Sequence, residues 1–302
     1  MAEARIIVSL GSPSDFSAGA AEAFLRGFLS DPLVLPLPSP FREFFARRVA
    51  KKRAAAYAKQ SEKLSINGKF ITKHYAESLA EKVGAISGVP TFAAYRYGEN
   101  DIARTVAKLR ESGFDEFSFA AAYPQFSNAT TLSAKLAAEE ATRGLKFRFA
   151  QPYFDNSLYI DMLAESLGRL GDCGAIIASF HSVPESQRSP YAEQCERTVS
   201  LLCEKSGRGD IMLGWQSKTG RGRWLEPATR GLLGKCASRG IKKVGVLCPA
   251  FFCDCTETLA EIDRDARAYF LERGGESFEY APCPNDSDAQ AKLFRNIFEN
   301  IK

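Results

Sequence analysis

The chain has 302 residues, 45% of them hydrophobic and 25% charged, a balance that buries a real core and excludes a largely disordered protein. A formal net charge of +4 is too slight to expect nucleic acid as a partner, and it suits an anionic small molecule or an anionic surface. No run approaches the roughly 18–20 apolar residues of a membrane helix, and eight cysteines without a dense framework point to reduced thiols in a cytoplasmic protein.

The opening MAEARIIVSLG carries one arginine and a short apolar run, then breaks at Gly11-Ser12-Pro13, which reads as a first strand and its loop rather than as a leader. In chain order the spacing predicts a strand over Arg5–Leu10, helices over Ala18–Leu29, Phe41–Ser61 and Phe70–Val83, a strand over Thr91–Tyr95, a helix over Ile102–Glu111, a strand over Glu116–Ala121, a helix over Ala129–Thr142 and a strand over Lys146–Ala150. Pro152 and two aromatics then interrupt the periodicity, so Gln151–Asn156 reads as a hinge. The second half repeats the style without repeating the sequence. It predicts helix Ser157–Leu170, strand Gly174–Phe180, helix Tyr191–Lys205, strand Asp210–Gly214, helix Pro227–Ser238, strand Lys243–Leu247, helix Thr256–Glu272, strand Ser277–Tyr280 and helix Ala289–Glu299. Strand runs rich in Val, Ile and Phe, alternating with helices, mean parallel sheets covered on both faces. The expectation is α/β, two doubly wound parallel-sheet domains over 1–151 and 152–284 facing a cleft, with ligands at the carboxyl ends of the strands.

The chemistry-bearing residues fall at those ends. His181, one of two histidines, closes the apolar run GAIIASF and is followed by Ser182, Val183 and Pro184, a site position for a proton acceptor. The bland alternative is a satisfied, partly buried ring. His74 sits in a charged helix pattern and reads as a surface residue. In CPAFFCDCTETLAEIDRDARAYF, the acids Asp254, Glu257, Glu261 and Asp265 recur every three or four residues, so they line one helix face. Neighbouring like charges there cost on the order of a few tenths of a kcal/mol per pair. An oxygen-rich stripe is a path for a divalent cation; a solvated face with Arg264 and Arg267 beside it is an equal reading. Cys248, Cys253, Cys255 and Cys283 are the only grouping available to an iron–sulfur cluster, and buried thiols are the default. No phosphate-cradling glycine loop and no nucleophile elbow is present.

These residues carry a resemblance. SFHSVPESQRSPYAEQC resembles the ferrochelatase signature, and the likeness extends through LGSPSDFSAGAAEAFLRGFLSDPLVLPLP, YRYGENDI, AAYPQFSNATT, WQSKTGRGRWLEPAT and CPAFFCDCTETLAEI, in the family's order and over most of the chain. It implies a two-domain Rossmann-like chelatase fold with porphyrin between the domains and a last helix, about 285–302, packed back on the first. It implies ferrous iron insertion into protoporphyrin IX in heme biosynthesis, with porphyrin and ferrous iron as partners and no cofactor beyond the substrate iron. Residue by residue, His181 matches the histidine that takes pyrrole protons or meets the metal, and Glu257 its acidic partner. Asp254, Glu261 and Asp265 match acidic positions of metal or proton passage. Arg96 and Tyr123 match porphyrin contacts, and Trp224 and Phe251 match aromatic positions near the macrocycle.

The chain departs from the family at LSINGKFITK, where a Gly-Ser-Pro-Leu block is usual, at Ser182 for a common glycine, and at Ser14, where the Gram-positive coproporphyrin enzymes commonly have tyrosine. The last departure favours protoporphyrin IX over coproporphyrin III. A chelatase for another metal and tetrapyrrole, and a porphyrin or metal carrier without turnover, are the alternatives. FREFFARRVAKKR, Phe41–Arg53, reads as an amphipathic helix packed on the sheet with a solvated basic face, or as a segment that meets porphyrin carboxylates or an anionic membrane surface. The oligomeric state is not legible.

Overall fold

A computed structural model describes residues 2–218 and 222–301; 219–221, inside the WQSKTGRGRWLEPAT block, lie outside the described residues. The chain divides into two compact units, one of 1–122, 127–152 and 291–302, the other of 123–126 and 153–290. The division differs from the expected one in two places. Residues 123–126 leave the first half to join the second unit. Residues 285–290 also stay there, because Asn285 and Gln290 are tied to the Phe252 carbonyl.

The first unit holds β1 (Glu3–Ser9), α1 (Ala18–Leu29), α2 (Ser39–Lys63), α3 (Ile71–Ser87), β2 (Thr91–Tyr95), α4 (Ile102–Glu111), β3 (Glu116–Ala121), α5 (Ser133–Ala141) and β4 (Lys146–Phe149). A π-helical turn, Asn128–Leu132, leads into α5. The four strands are parallel in the order β2-β1-β3-β4. Strand alternation divides β1 between two faces: Ala4, Ile6 and Val8 pack with Ile102, Val106 and Leu109 of α4 and Ala134 and Ala138 of α5, while Arg5 on the opposite face lies over the Phe298 ring. Gly11 lies at the start of the loop after β1 at φ +99, and a Cβ there would run into the Tyr97 carbonyl oxygen. Only glycine lets the backbone carrying Arg96 and Tyr97 close onto β1.

α2 corrects one expectation. It packs on α1 rather than on the sheet, through Ala46, Ala50, Ala54 and Ala58, whose four-residue spacing makes a smooth ridge for close helix approach. Its phenylalanines are not the packed face: Phe41, Phe44 and Phe45 are exposed. After α2, Ile66 and Lys69 pair across Asn67-Gly68, both at positive φ, the Asn-Gly chemistry of a tight hairpin. That is what LSINGKFITK builds in place of the family's block.

The second unit holds α6 (Ser157–Gly168), β5 (Ala175–His181), α7 (Tyr191–Ser206), β6 (Ile211–Gln216), α8 (Thr229–Ser238), β7 (Lys243–Leu247), α9 (Arg267–Leu271) and β8 (Ser277–Tyr280). α10 (Asp288–Glu299) closes the chain, and the division between units falls inside it. The strands are parallel in the order β6-β5-β7-β8, the same winding as the first sheet. α8, α9 and the helix before α9 cover one face through Leu233, Cys236, Ile262, Ala266 and Phe270. In each sheet the winding reverses beside the central strand, between β1 and β3 and between β5 and β7, which are the switch points where doubly wound sheets bind ligands.

The helix predicted over Thr256–Glu272 is π-helical from Thr256 to Ala266 and becomes α only at Arg267. A π-helix bonds one residue further along than an α-helix, so residues four apart stay on one side of it. Glu257, Glu261 and Asp265 therefore share a face, while Asp254 precedes the Cys255 cap and is outside the stripe. Among the described residues, no helix is long and apolar enough to cross a membrane.

Candidate active site

His181 is the last residue of β5, half-buried at the switch point of the second sheet. Its ring is fixed by its neighbour: Nδ1 lies 2.7 Å from the Ser182 carbonyl oxygen. A carbonyl can only accept, so Nδ1 carries the hydrogen and the neutral ring keeps its lone pair at Nε2. The loop beyond is held by Ser182 N donating to Gln216 O at 2.8 Å and Tyr191 Oη donating to His181 O at 2.9 Å. Phe251 stands 6.5 Å from the imidazole, centroid to centroid. Pro184 bridges to Trp224, and Glu185 N and Leu225 N bond back to Arg223 and Val183, so the Trp224 segment is zipped to the His181 loop. Strand-end position named His181 and the family resemblance named Phe251 and Trp224; the structure sets Phe251 beside the imidazole and the Trp224 backbone beside the His181 loop.

Glu257 opens the π-helix, and its backbone is tied to the histidine strand through Gln216. Gln216 is the register partner of His181 and is buried. Its Oε1 accepts from Ser179 Oγ at 2.7 Å and from Cys248 Sγ at 3.4 Å, and its Nε2 donates to the Glu257 carbonyl at 3.0 Å. One turn on, Glu261 accepts from Ser217 N and Ser217 Oγ, each at 2.6 Å, and Ser217 adopts φ 63 to present both. A serine in the left-handed region is a strained choice. Neither Gln216 nor Ser217 was named from the sequence, because a polar pair ending an apolar run looks like any strand exit.

The acids do not form one coordination set. Asp265 is exposed and paired with Arg264 at 2.6 Å, and Arg267 pairs with Asp263, so both arginines expected beside the stripe engage acids. Among the described residues, no group of three or more His, Cys, Asp or Glu side chains is placed to hold a metal ion. Asp254 is buried and committed: Oδ1 accepts from Tyr280 Oη at 2.7 Å, Cys283 N at 3.2 Å and Thr258 Oγ1 at 3.4 Å, and Oδ2 from Asn285 Nδ2 at 2.9 Å. Burial, with Cys283, Cys248 and Asp254 close by, pushes the Tyr280 phenol upward, so it stays protonated and donates. Cys248, Cys253, Cys255 and Cys283 are buried thiols whose pKa values burial raises well above the usual range.

Arg96 belongs to the first unit and follows β2. Its Nε donates to Ser133 Oγ at 2.6 Å and Ser133 O at 3.1 Å, and its Nη2 donates to Asp31 Oδ2 at 2.9 Å. Tyr123 is half-buried in the 123–126 segment of the second unit. Within that unit the segment is pinned by Gln125 Nε2, which donates to Thr198 Oγ1 at 3.1 Å, and by Phe126 N, which donates to Gln194 Oε1 at 2.6 Å. His74 lies half-buried on α3, edge-on to Tyr75.

A strand-end imidazole with its lone pair at Nε2 and the Phe251 ring beside it can take a proton from a flat, apolar ligand, and comparison with known proteins gives the family. The ferrochelatase family model matches residues 2–301. The chain belongs to the ferrochelatase family. It is 37% identical to a ferrochelatase of Polaromonas sp. over 95% of this chain and 83% of that one. It is 33% identical to one of Herminiimonas arsenicoxydans (98% and 86%) and 32% identical to one of Ectopseudomonas mendocina (94% and 93%). Among solved structures it is similar in fold to SirB from Bacillus subtilis with Fe3+, TM-score 0.60 at 10% identity over 99% and 95% of the two chains. It is also similar to CbiX, the terminal enzyme for biosynthesis of siroheme in denitrifying bacteria, TM-score 0.53 at 11% identity over 99% and 98%. The family comprises metal-inserting porphyrin lyases, which places the chain among the enzymes of heme biosynthesis.

Proposed function

We propose that this ferrochelatase inserts ferrous iron into protoporphyrin IX and that His181 Nε2 is the first acceptor of the pyrrole protons. The observation that carries the role is the Nδ1 bond to the Ser182 carbonyl, which leaves Nε2 unprotonated in the neutral ring. A free porphyrin holds two inner N–H protons, and its nitrogen lone pairs point inward in the ring plane. Bending the ring turns a pyrrole N–H out of that plane at roughly 1–5 kcal/mol, drawn from binding elsewhere on the macrocycle. Phe251 and Trp224 supply stacking surface for that binding, and Tyr123 a further contact. Each of the two protons leaves as iron takes its place on the nitrogens, and Glu257, its backbone held by Gln216, receives and relays them. Asp254 acts from behind, by fixing the loop from which the π-helix starts.

Glu261 and Asp265 serve iron in transit, as successive carboxylates along one face of the π-helix. Replacing both with alanine is expected to raise KM for ferrous iron about ten- to a hundredfold, one carboxylate contact being worth about 1.5–3 kcal/mol, with porphyrin affinity unchanged. A change confined to porphyrin affinity would assign the stripe another task. The substrate itself is tested by anaerobic turnover of ferrous iron with protoporphyrin IX and coproporphyrin III in parallel. Preference for coproporphyrin III overturns the protoporphyrin assignment and keeps the chemistry; tight binding of both without turnover favours a carrier.

α2 supports peripheral membrane contact by the same protein. Three of the large exposed apolar side chains, Phe41, Phe44 and Phe45, lie within five residues, and Arg47, Arg48, Lys51, Lys52 and Arg53 follow, the composition of an interfacial helix. Charge reversal of Lys51, Lys52 and Arg53 is expected to abolish co-sedimentation with anionic liposomes. Unaltered sedimentation would leave the helix as a solvated face.

A further inference from the structure

We propose that Asp31, through Ser133, is a positioning residue that aims Arg96 at a carboxylate of the porphyrin. The inference rests on the proposed substrate, because it names what Arg96 would hold. Asp31 sits in the loop after α1 and is 65 positions from Arg96. Its side chain is 4% exposed, against 28% for Arg96. Three donors converge on its Oδ2: Arg96 Nη2 at 2.9 Å, Tyr97 Oη at 2.7 Å and Ser133 Oγ at 2.6 Å. Oδ1 accepts from Leu33 N at 2.8 Å. Burial works to raise the Asp31 pKa, but the bonds from Ser133, Tyr97 and Leu33 and the charge of Arg96 outweigh it and hold the carboxyl below its ordinary value.

The guanidinium is therefore gripped along one edge only. Nε is taken by Ser133 and Nη2 by Asp31, while the Arg96 side chain lies over the Tyr97 ring at 4.6 Å. Nη1 has no partner among the described residues, and the side chain is partly exposed. An arginine with a locked inner edge and an available outer nitrogen is preorganised for an anion, and the planar fork suits a carboxylate better than any other common acid except phosphate. Porphyrin carries its carboxylates at its rim. Nothing in a purely structural ion pair requires the outer nitrogen to be left open, and Ser133 serves both partners, accepting from arginine and donating to aspartate.

The test compares binding of deuteroporphyrin with its dimethyl ester in the same detergent, by fluorescence quenching of the full-length protein. Wild type is expected to prefer the acid. Arg96→Ala should remove that preference, and Asp31→Asn should lower it about tenfold, the loss of one charge-assisted bond. The double variant should be no worse than Arg96→Ala alone, and the turnover of Asp31→Asn should show a raised porphyrin KM with kcat near wild type. Ser133→Ala, which leaves the Asp31–Arg96 contact in place, should give a smaller shift of the same kind and carries the test where Asp31→Asn fails to fold. If Arg96→Ala keeps full acid preference, the substrate contact assigned to Arg96 is wrong. If Arg96→Ala loses it while Asp31→Asn and Ser133→Ala keep the wild-type value, Arg96 stands and the positioning role of Asp31 is overturned.

Discussion

Replacing His181 with alanine is expected to lower turnover by about 10²–10⁴-fold, the usual worth of a positioned proton acceptor, while the fold survives. Stability should change little because β5 is held by backbone pairing to β6 and β7, and among the described residues the imidazole's one hydrogen bond is the local one to Ser182. Two readings of the histidine separate in the same experiment. If Nε2 takes a proton, added imidazole or another small base should restore part of the rate, and the Michaelis constant for iron should hold. If Nε2 instead meets the metal, the iron constant should rise and external base should not help. Turnover near the wild-type rate would remove His181 from the chemistry and leave its bond to Ser182 as a loop lock.

That such a residue could be found from the sequence is a consequence of burial. Strands covered on both faces are mostly apolar, so Thr91–Tyr95, Glu116–Ala121, Lys243–Leu247 and Ser277–Tyr280 have the bounds that their spacing predicts, and a histidine closing such a run is conspicuous. The π-helix was not legible. It differs from an α-helix in which carbonyl each N–H reaches, and the polar pattern of Thr256–Ala266 suits either. Of the two readings of α2, packing on the sheet fails, because its small alanine ridge lies on α1 instead. Asp31 and Ser133 were invisible for another reason: their partner Arg96 is brought to them by the sheet, and no spacing along the chain records a meeting 65 and 37 residues distant.

Asp254 shows what such meetings cost to undo. Asp254→Ala would strand the Tyr280 hydroxyl, the Asn285 amide and the Cys283 N–H, all of which now end on one carboxylate, while the Thr258 hydroxyl keeps the Cys255 carbonyl as acceptor. Buried donors without acceptors cost about 1–3 kcal/mol each, with partial recovery by relaxation, so a total of about 3–5 kcal/mol and a fall in Tm on the order of 10 °C are expected. Tyr280→Phe removes one donor and keeps the ring. It should cost about 1 kcal/mol in wild type and close to nothing on top of Asp254→Ala, because its partner is already gone. Activity should fall as well, at temperatures where the variant is folded. The loop from Phe252 to Cys255 starts the π-helix, and loosening it frees Glu257 from the position that Gln216 holds by its carbonyl. The loss should appear in kcat. A variant with wild-type Tm and a raised porphyrin KM would instead make Asp254 a substrate contact, and the three donors would have to be satisfied by something other than its carboxylate.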